Sequence, residues 1–279
     1  MITPAPAKRP RRRVRRFARP CCNDLWQMDG FEVALADGTP ATVLQIIDDC
    51  SRLDLACHAA TGETSQAAWD AFSTAAARYG LPRQFLTDNS RAFSGHRYGW
   101  ESDLAVNLRE LGVEPITSRP GHPQTCGKNE RAHRTTEQWL ARRPTPATLD
   151  DLQHLLETYR HSYNNDRPHQ AHQGLTPQQR WDITEHTGPA SHPLPLPLNI
   201  THPTVAPNGT IAVGNAYIGL GRTHAGTPTT IFRTGDHTAI FIGHRLAGTH
   251  TLDPTRRYQP LDQPVTEVLR QNRHRTPET

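Results

Sequence analysis

Lysine is almost missing from this 279-residue chain: of its 31 basic residues only Lys8 and Lys128 are lysines. With abundant alanine and proline, that bias points to a GC-rich bacterial genome, and it makes a lysine at position 128 notable. Long apolar runs are missing too. None approaches the ~18 consecutive residues needed to span a bilayer, so no membrane partner is expected. The basic start, MITPAPAKRPRRRVRRFARP, has no apolar stretch behind it, which excludes a secretory signal and points to the cytoplasm. The five cysteines (Cys21, Cys22, Cys50, Cys57 and Cys126) are odd in number and irregularly spaced, which argues against a disulfide framework. No Cys-x-x-Cys pattern accompanies His169 and His172, so zinc is not expected either.

Acids are absent from residues 1–23, which hold eight of the 31 basic residues. The net charge of +4 is therefore an average over unlike parts, because the remaining 256 residues carry 23 basic and 27 acidic groups. Residues 1–23 read as a flexible arginine-rich arm. Within it Arg11, Arg12, Arg13, Arg15 and Arg16 are suited to DNA phosphates without reading sequence.

What is present reads as alternating strands and helices. LWQMDGFEVAL (25–35), ATVLQIIDD (41–49) and RLDLACHA (52–59) predict an antiparallel meander, with Asp37-Gly38 as a hairpin turn. Thr64 to Tyr79 has helical spacing and ends at Gly80-Leu81-Pro82. Strands at 83–88 and 113–118 and helices at 98–111, 124–142 and 149–163 follow, then a short helix opened by Thr176-Pro177. The pattern predicts an α/β layer architecture. The chain divides into the arm (1–23), a core (24–190), a proline-rich linker (191–199), a small β-barrel-like domain (200–262) and a disordered tail (263–279).

In that frame three acids gain positions. Asp29 lies in the first strand, Asp88 where a later strand runs out, and Glu130 in a downstream helix among Lys128, Arg131, His133 and Arg134. Ligands gather at sheet ends in open α/β folds. Three carboxylates meeting there suit two divalent cations about 4 Å apart, the arrangement that serves phosphodiester chemistry. Oxygen donors alone favour magnesium or manganese. Spacing by itself does not single out these three among 27 acids; Asp24, Asp48, Asp49 and Asp54 compete, and most are simpler as turn or surface residues.

Residues 24–182 resemble the integrase core of the retrovirus-type DDE recombinases, in particular bacterial insertion-sequence transposases. The likeness rests on LWQMDGFEV, IIDDCSR, LTDN, SRPGHPQTCGKNERAHRT and YNNDRPHQAHQGLTPQQRW, in that order. It implies an RNase H-like mixed five-stranded sheet flanked by helices. It also implies a catalytic triad on Asp29, Asp88 and Glu130 holding two Mg²⁺ or Mn²⁺ ions, with end nicking and strand transfer as the chemistry. Lys128 is then read as a grip on phosphate near the cleavage site. Arg131 and Arg134 face DNA or pair with Glu137. The partners implied are DNA, both element ends and target, and further copies of the chain assembled on it.

The chain also departs from that family. Ser90 follows Asn89 where glycine is common, Ala132 stands where a bulky aromatic is usual, and the interval from Asp88 to Glu130 is longer than is customary. Only about 23 residues precede the first strand, whereas the family places a helix-turn-helix region there. The chain is therefore expected to be a truncated copy or to work with a separate helix-turn-helix protein. The alternative function is a non-catalytic DNA-binding product that regulates transposition.

Overall fold

The computed structural model describes residues 18–88, 102–117, 123–189 and 199–261. The arginines at 11–16, the linker and the tail expected beyond 262 lie outside the described residues. β1 (Leu25–Ala34), β2 (Pro40–Asp48) and β3 (Asp54–Ala60) form the meander, followed by α1 (Ser65–Tyr79) and β4 (Gln84–Thr87). α2 (Asp103–Glu110), β5 (Glu114–Thr117), α3 (Pro123–Leu140), α4 (Leu149–Asn165) and α5 (Pro177–Ile183) complete the core. The strands form one five-stranded sheet in the order β3-β2-β1-β4-β5. β1 pairs antiparallel with β2 and parallel with β4, so the sheet is mixed.

The alternation along β1 and β2 decides which side chain meets which helix. Trp26, Met28, Leu44 and Ile46 are buried on one face, where α1 supplies Trp69, Phe72 and a run of alanines. Phe31, Val33, Val43 and Cys57 belong to the opposite face, covered by Trp139 of α3 and by Leu152, Leu156, Tyr159 and Tyr163 of α4. Gln27, Asp29 and Gln45 share that second face by register, Asp29 lying opposite Gln45.

Helix starts follow ordinary capping chemistry. Thr64 Oγ1 accepts from the Ala67 N–H at 3.1 Å, and Gly80, at φ 78°, ends α1 in a conformation that suits glycine. Thr148 with Asp151, and Thr176 with Gln179, form reciprocal capping boxes on α4 and α5.

The expected small barrel is not what residues 199–261 form. β6 (Asn199–Thr201), β9 (Thr229–Thr234), β10 (His237–Ile242) and β11 (Arg245–Thr251) make a four-stranded sheet, and β7 (Thr210–Val213), β8 (Ala216–Gly219) and β12 (Tyr258–Pro260) a three-stranded one. The inner strands of the four-stranded sheet, β9 and β10, are buried on both sides. Phe232, Ala239 and Phe241 join the core cluster around α1, with the Trp69 ring 4.4 Å from that of Phe241. Ile231 and Ile240 turn the other way, onto Ile211, Val213 and Ile218. Runs such as TTIFRT and HTAIFI are apolar in both phases of the strand period, so they carry no polar face from which a two-layer packing can be read. Truncating Trp69 to alanine at this junction would cost about 3–5 kcal/mol.

Candidate active site

Asp29 follows the buried stretch Leu25–Met28 of β1, and its side chain is 29% exposed. Asp88, half-buried, immediately follows β4, the parallel neighbour of β1. Glu130, exposed, lies in the second turn of α3. The structure brings Asp88 and Glu130 each within electrostatic reach of Asp29. Burial pushes the Asp29 carboxyl up to about 6; the Gly30 N–H, donating to Oδ1 at 3.0 Å, works against this, while the charges of Asp88, Glu63 and Glu130 add to the rise.

Glu63 was not singled out by the sequence. It precedes the α1 cap residue Thr64, and its Oε2 lies 3.9 Å from where a Cβ on Gly30 would stand. It therefore reaches over β2 to the strand that carries Asp29. The sequence offers little sign of this, since an acid just ahead of a helix start is ordinarily explained by the helix itself.

Among the described residues, the one imidazole, ammonium or guanidinium within ion-pair distance of Asp29 is His133, whose Nδ1 is 3.9 Å from Oδ2. His133 stacks on Phe31 with ring centroids 4.7 Å apart, and burial pushes its imidazole down to about 4. It is therefore neutral at pH 7 and brings no positive charge to the acids. Asp29, with the charges of Asp88, Glu63 and Glu130 acting on it, belongs to a group of carboxylates that offers only oxygen, a donor set that fits a hard divalent ion.

The other acids are not the surface residues expected of them, although Asp49 does lie at a turn. Asp24, Asp48, Asp49 and Asp54 are at most 5% exposed, and each is engaged. Asp24 pairs with Arg83 and, at 3.7 Å, with Arg19. Asp48 accepts from the Ser51 N–H and hydroxyl, both at 2.7 Å, and from the Asn23 N–H at 3.0 Å. Asp54 accepts from the Gln45 amide at 2.6 Å and the Cys57 thiol at 3.2 Å, while the Asn164 side chain bridges its backbone N–H and C=O. Asp49 accepts from Gln27 and Lys128.

Lys128 is consequently placed otherwise than expected: its ammonium lies on buried Asp49 rather than projecting to meet a phosphate. The physical reason is the cost of leaving a desolvated carboxylate unpaired. Arg131 and Arg134 are exposed on α3, on the same helix as Glu130. Cys22 and Cys50 meet beside Asp48, with ligand atoms within 4.8 Å of one another; nothing in the sequence spacing suggested that encounter. No helix among the described residues is long and apolar enough to cross a membrane.

A mixed five-stranded sheet flanked by helices, with acids on the central strand, after its parallel neighbour and on a covering helix, defines the RNase H-like class of fold. A simian T-cell lymphotropic virus intasome, determined with the PP2A regulatory subunit B56 gamma, shares this fold at TM-score 0.53. It is 16% identical, and the alignment covers 89% of this chain and 86% of that one. The magnesium-bound catalytic core domain of HTLV-2 integrase is 19% identical, covering 58% of this chain and 97% of that one at TM-score 0.45. Residues 19–123 and 111–177 each match a family described as Integrase core domain. Together the two matches run through residues 19–177, and over that stretch the chain belongs to the integrase-core family. An uncharacterized 39.2 kDa protein of insertion element IS476 from Xanthomonas euvesicatoria is 26% identical over 181 residues, which are 62% of this chain and 49% of that protein. The chain thus spans about half the length of the curated relative it matches.

Proposed function

We propose that this chain is the catalytic core of a DNA transposase that nicks element ends and joins them to target DNA, with Asp29, Asp88 and Glu130 as the catalytic acids. The observation that carries the reading is that the charges of Asp88, after β4, and Glu130, on α3, both act on Asp29 of β1, adding to the rise that burial chiefly gives its carboxyl. Two magnesium or manganese ions held by these acids would neutralise the scissile phosphate and acidify the attacking hydroxyl.

The chain's own residues perform the rest. The rigid β1–β4 pair fixes Asp29 against Asp88, and α3 presents Glu130 from above. A cation held by these acids would favour the ionised Asp29 carboxylate, against the burial that chiefly raises its carboxyl to about 6. Arg131 and Arg134, exposed on α3, would face the DNA backbone and hold the scissile bond in register, and Arg11, Arg12, Arg13, Arg15 and Arg16 would tether DNA through its phosphates. In the first step water attacks phosphorus and the strand is released with a free 3′-hydroxyl. In the second that hydroxyl attacks a target phosphodiester, forming one P–O bond and breaking another, with no covalent protein intermediate. Because each end and each target strand needs an active site, several copies of the chain would assemble on DNA.

Joining of a pre-cut oligonucleotide end to plasmid in Mn²⁺ tests this. Asp88→Asn should abolish joining while leaving DNA binding intact. Full joining by Asp88→Asn would overturn the assignment, and no joining by folded wild-type protein would favour a DNA-binding product without catalysis.

A further inference from the structure

Asp49 closes β2 where the chain turns toward β3, and its side chain is 1% exposed. A carboxylate so placed must be met by donors. The backbone N–H of Arg19 donates to Oδ2 at 2.8 Å, and the Gln27 amide and the Lys128 ammonium both donate to Oδ1. The Arg52 guanidinium stands 3.8 Å away. Lys128 is the one of these donors that comes from α3, so this ion pair is a tie between the Glu130 helix and the end of the sheet.

The tie lies where it matters. Lys128 precedes Glu130 by two residues, so on a helix turning about 100° per residue the two side chains leave on nearly opposite sides. Lys128 goes down onto the sheet, its side chain 17% exposed, while Glu130 remains exposed. The buried stripe of α3 runs through Asn129, Ala132 and Thr136, and the Thr136 hydroxyl accepts from Gln45 at 3.1 Å. Three residues beyond Glu130, His133 meets Asp29. Ala132 is small and leaves little apolar surface to hold this part of the helix, so polar ties on either side of Glu130 set its rotation and depth.

We infer that Lys128 is a positioning residue: through its ion pair with buried Asp49 it clamps the early turns of α3 to the sheet and fixes where Glu130 stands relative to Asp29. The inference rests on the catalytic reading above. Its competitor is a direct contact with DNA phosphate, which would strip Asp49 of its closest cation.

A double-mutant cycle on the full chain separates the two. Lys128→Met, Asp49→Asn, the pair together and Lys128→Arg are compared for Mn²⁺-dependent joining at saturating DNA, for DNA affinity by fluorescence anisotropy, and for Tm. A positioning role predicts that Lys128→Met lowers the joining rate roughly 10- to 100-fold, the scale of a misplaced catalytic group. DNA affinity should change by less than about twofold, and Asp49→Asn should cause a similar loss without adding to it in the pair. Lys128→Arg should restore most of the rate. If Asp49→Asn does not fold, the Met and Arg variants alone decide through the split between rate and affinity. The inference is overturned if Lys128→Met weakens DNA binding while keeping its rate at saturating DNA, or if it joins ends as well as wild type. Failure of folded wild-type protein to join ends overturns the catalytic reading itself, which is a different outcome from either of these.

Discussion

Two groups of carboxylates lie within a few residues of one another in this sheet, and they are handled in opposite ways. Asp24, Asp48, Asp49 and Asp54 are buried and satisfied by protein donors, two of them by arginine or lysine. Asp29, Asp88, Glu130 and Glu63 stand partly or wholly exposed, and the charges of the last three add to the rise that burial gives Asp29, which has a neutral histidine beside it. The first group is neutralised by the fold and serves it. The second is partly or wholly exposed, where a cation from outside the chain can reach it. An acid's partners, more than its place in a motif, separate architecture from chemistry.

The comparison breaks most visibly on the buried side. Asp49→Ala leaves Lys128 and Arg52 without their shared partner, and the expected loss is about 3–5 kcal/mol of folding stability in a urea titration. A loss comparable to that of an exposed substitution would mean that the Asp49 cluster carries no structural load.

Asp54 gives the next largest effect. Burial pushes its carboxyl up to about 6, from an ordinary 3.8, with the Gln45 and Cys57 hydrogen bonds and the Arg160 charge only partly offsetting it. Because the folded value is the higher one, the native state binds the proton more tightly. Stability from this group is fully present below about pH 4 and is lost as pH rises through 6, by on the order of 3 kcal/mol. Asp54→Asn should flatten that part of the stability profile between pH 4 and 7. An unchanged profile would assign the slope to another group.

The smallest effect belongs to Glu63, which is exposed and acts at longer range. Glu63→Gln should leave the fold intact and shift the Mn²⁺ concentration for half-maximal joining by only about twofold, less at high salt. A loss of joining as complete as that of Asp88→Asn would move Glu63 from the margin of the site into its centre.

Much of the core could be read from residues alone. The period-two runs of β1 and β2, the Thr64 cap, the Gly80 stop and the Thr176-Pro177 start each carry a local signal, and each appears within a residue or two of its expected place. Three things were not readable, for physical reasons. The pairing of β9 and β10 with both α1 and the three-stranded sheet depends on packing from two sides, which erases alternation. The burial of Asp48 and Asp54 depends in part on Asn23, 25 residues from Asp48, and Asn164, 110 residues from Asp54, which no local window contains. The turning of Lys128 onto Asp49 depends on a tertiary ion pair 79 residues apart in sequence. The positions of Asp29, Asp88 and Glu130 were reached through family resemblance rather than spacing, and the reach of the Asp88 and Glu130 charges to Asp29 appears only in the folded chain.

The most direct test of the division between the two groups is a Mn²⁺ titration followed by electron paramagnetic resonance on wild type, Asp29→Asn and Asp48→Asn. The account predicts that wild type and folded Asp48→Asn take up Mn²⁺ alike and that Asp29→Asn loses the uptake. Undiminished Mn²⁺ binding by Asp29→Asn would contradict it.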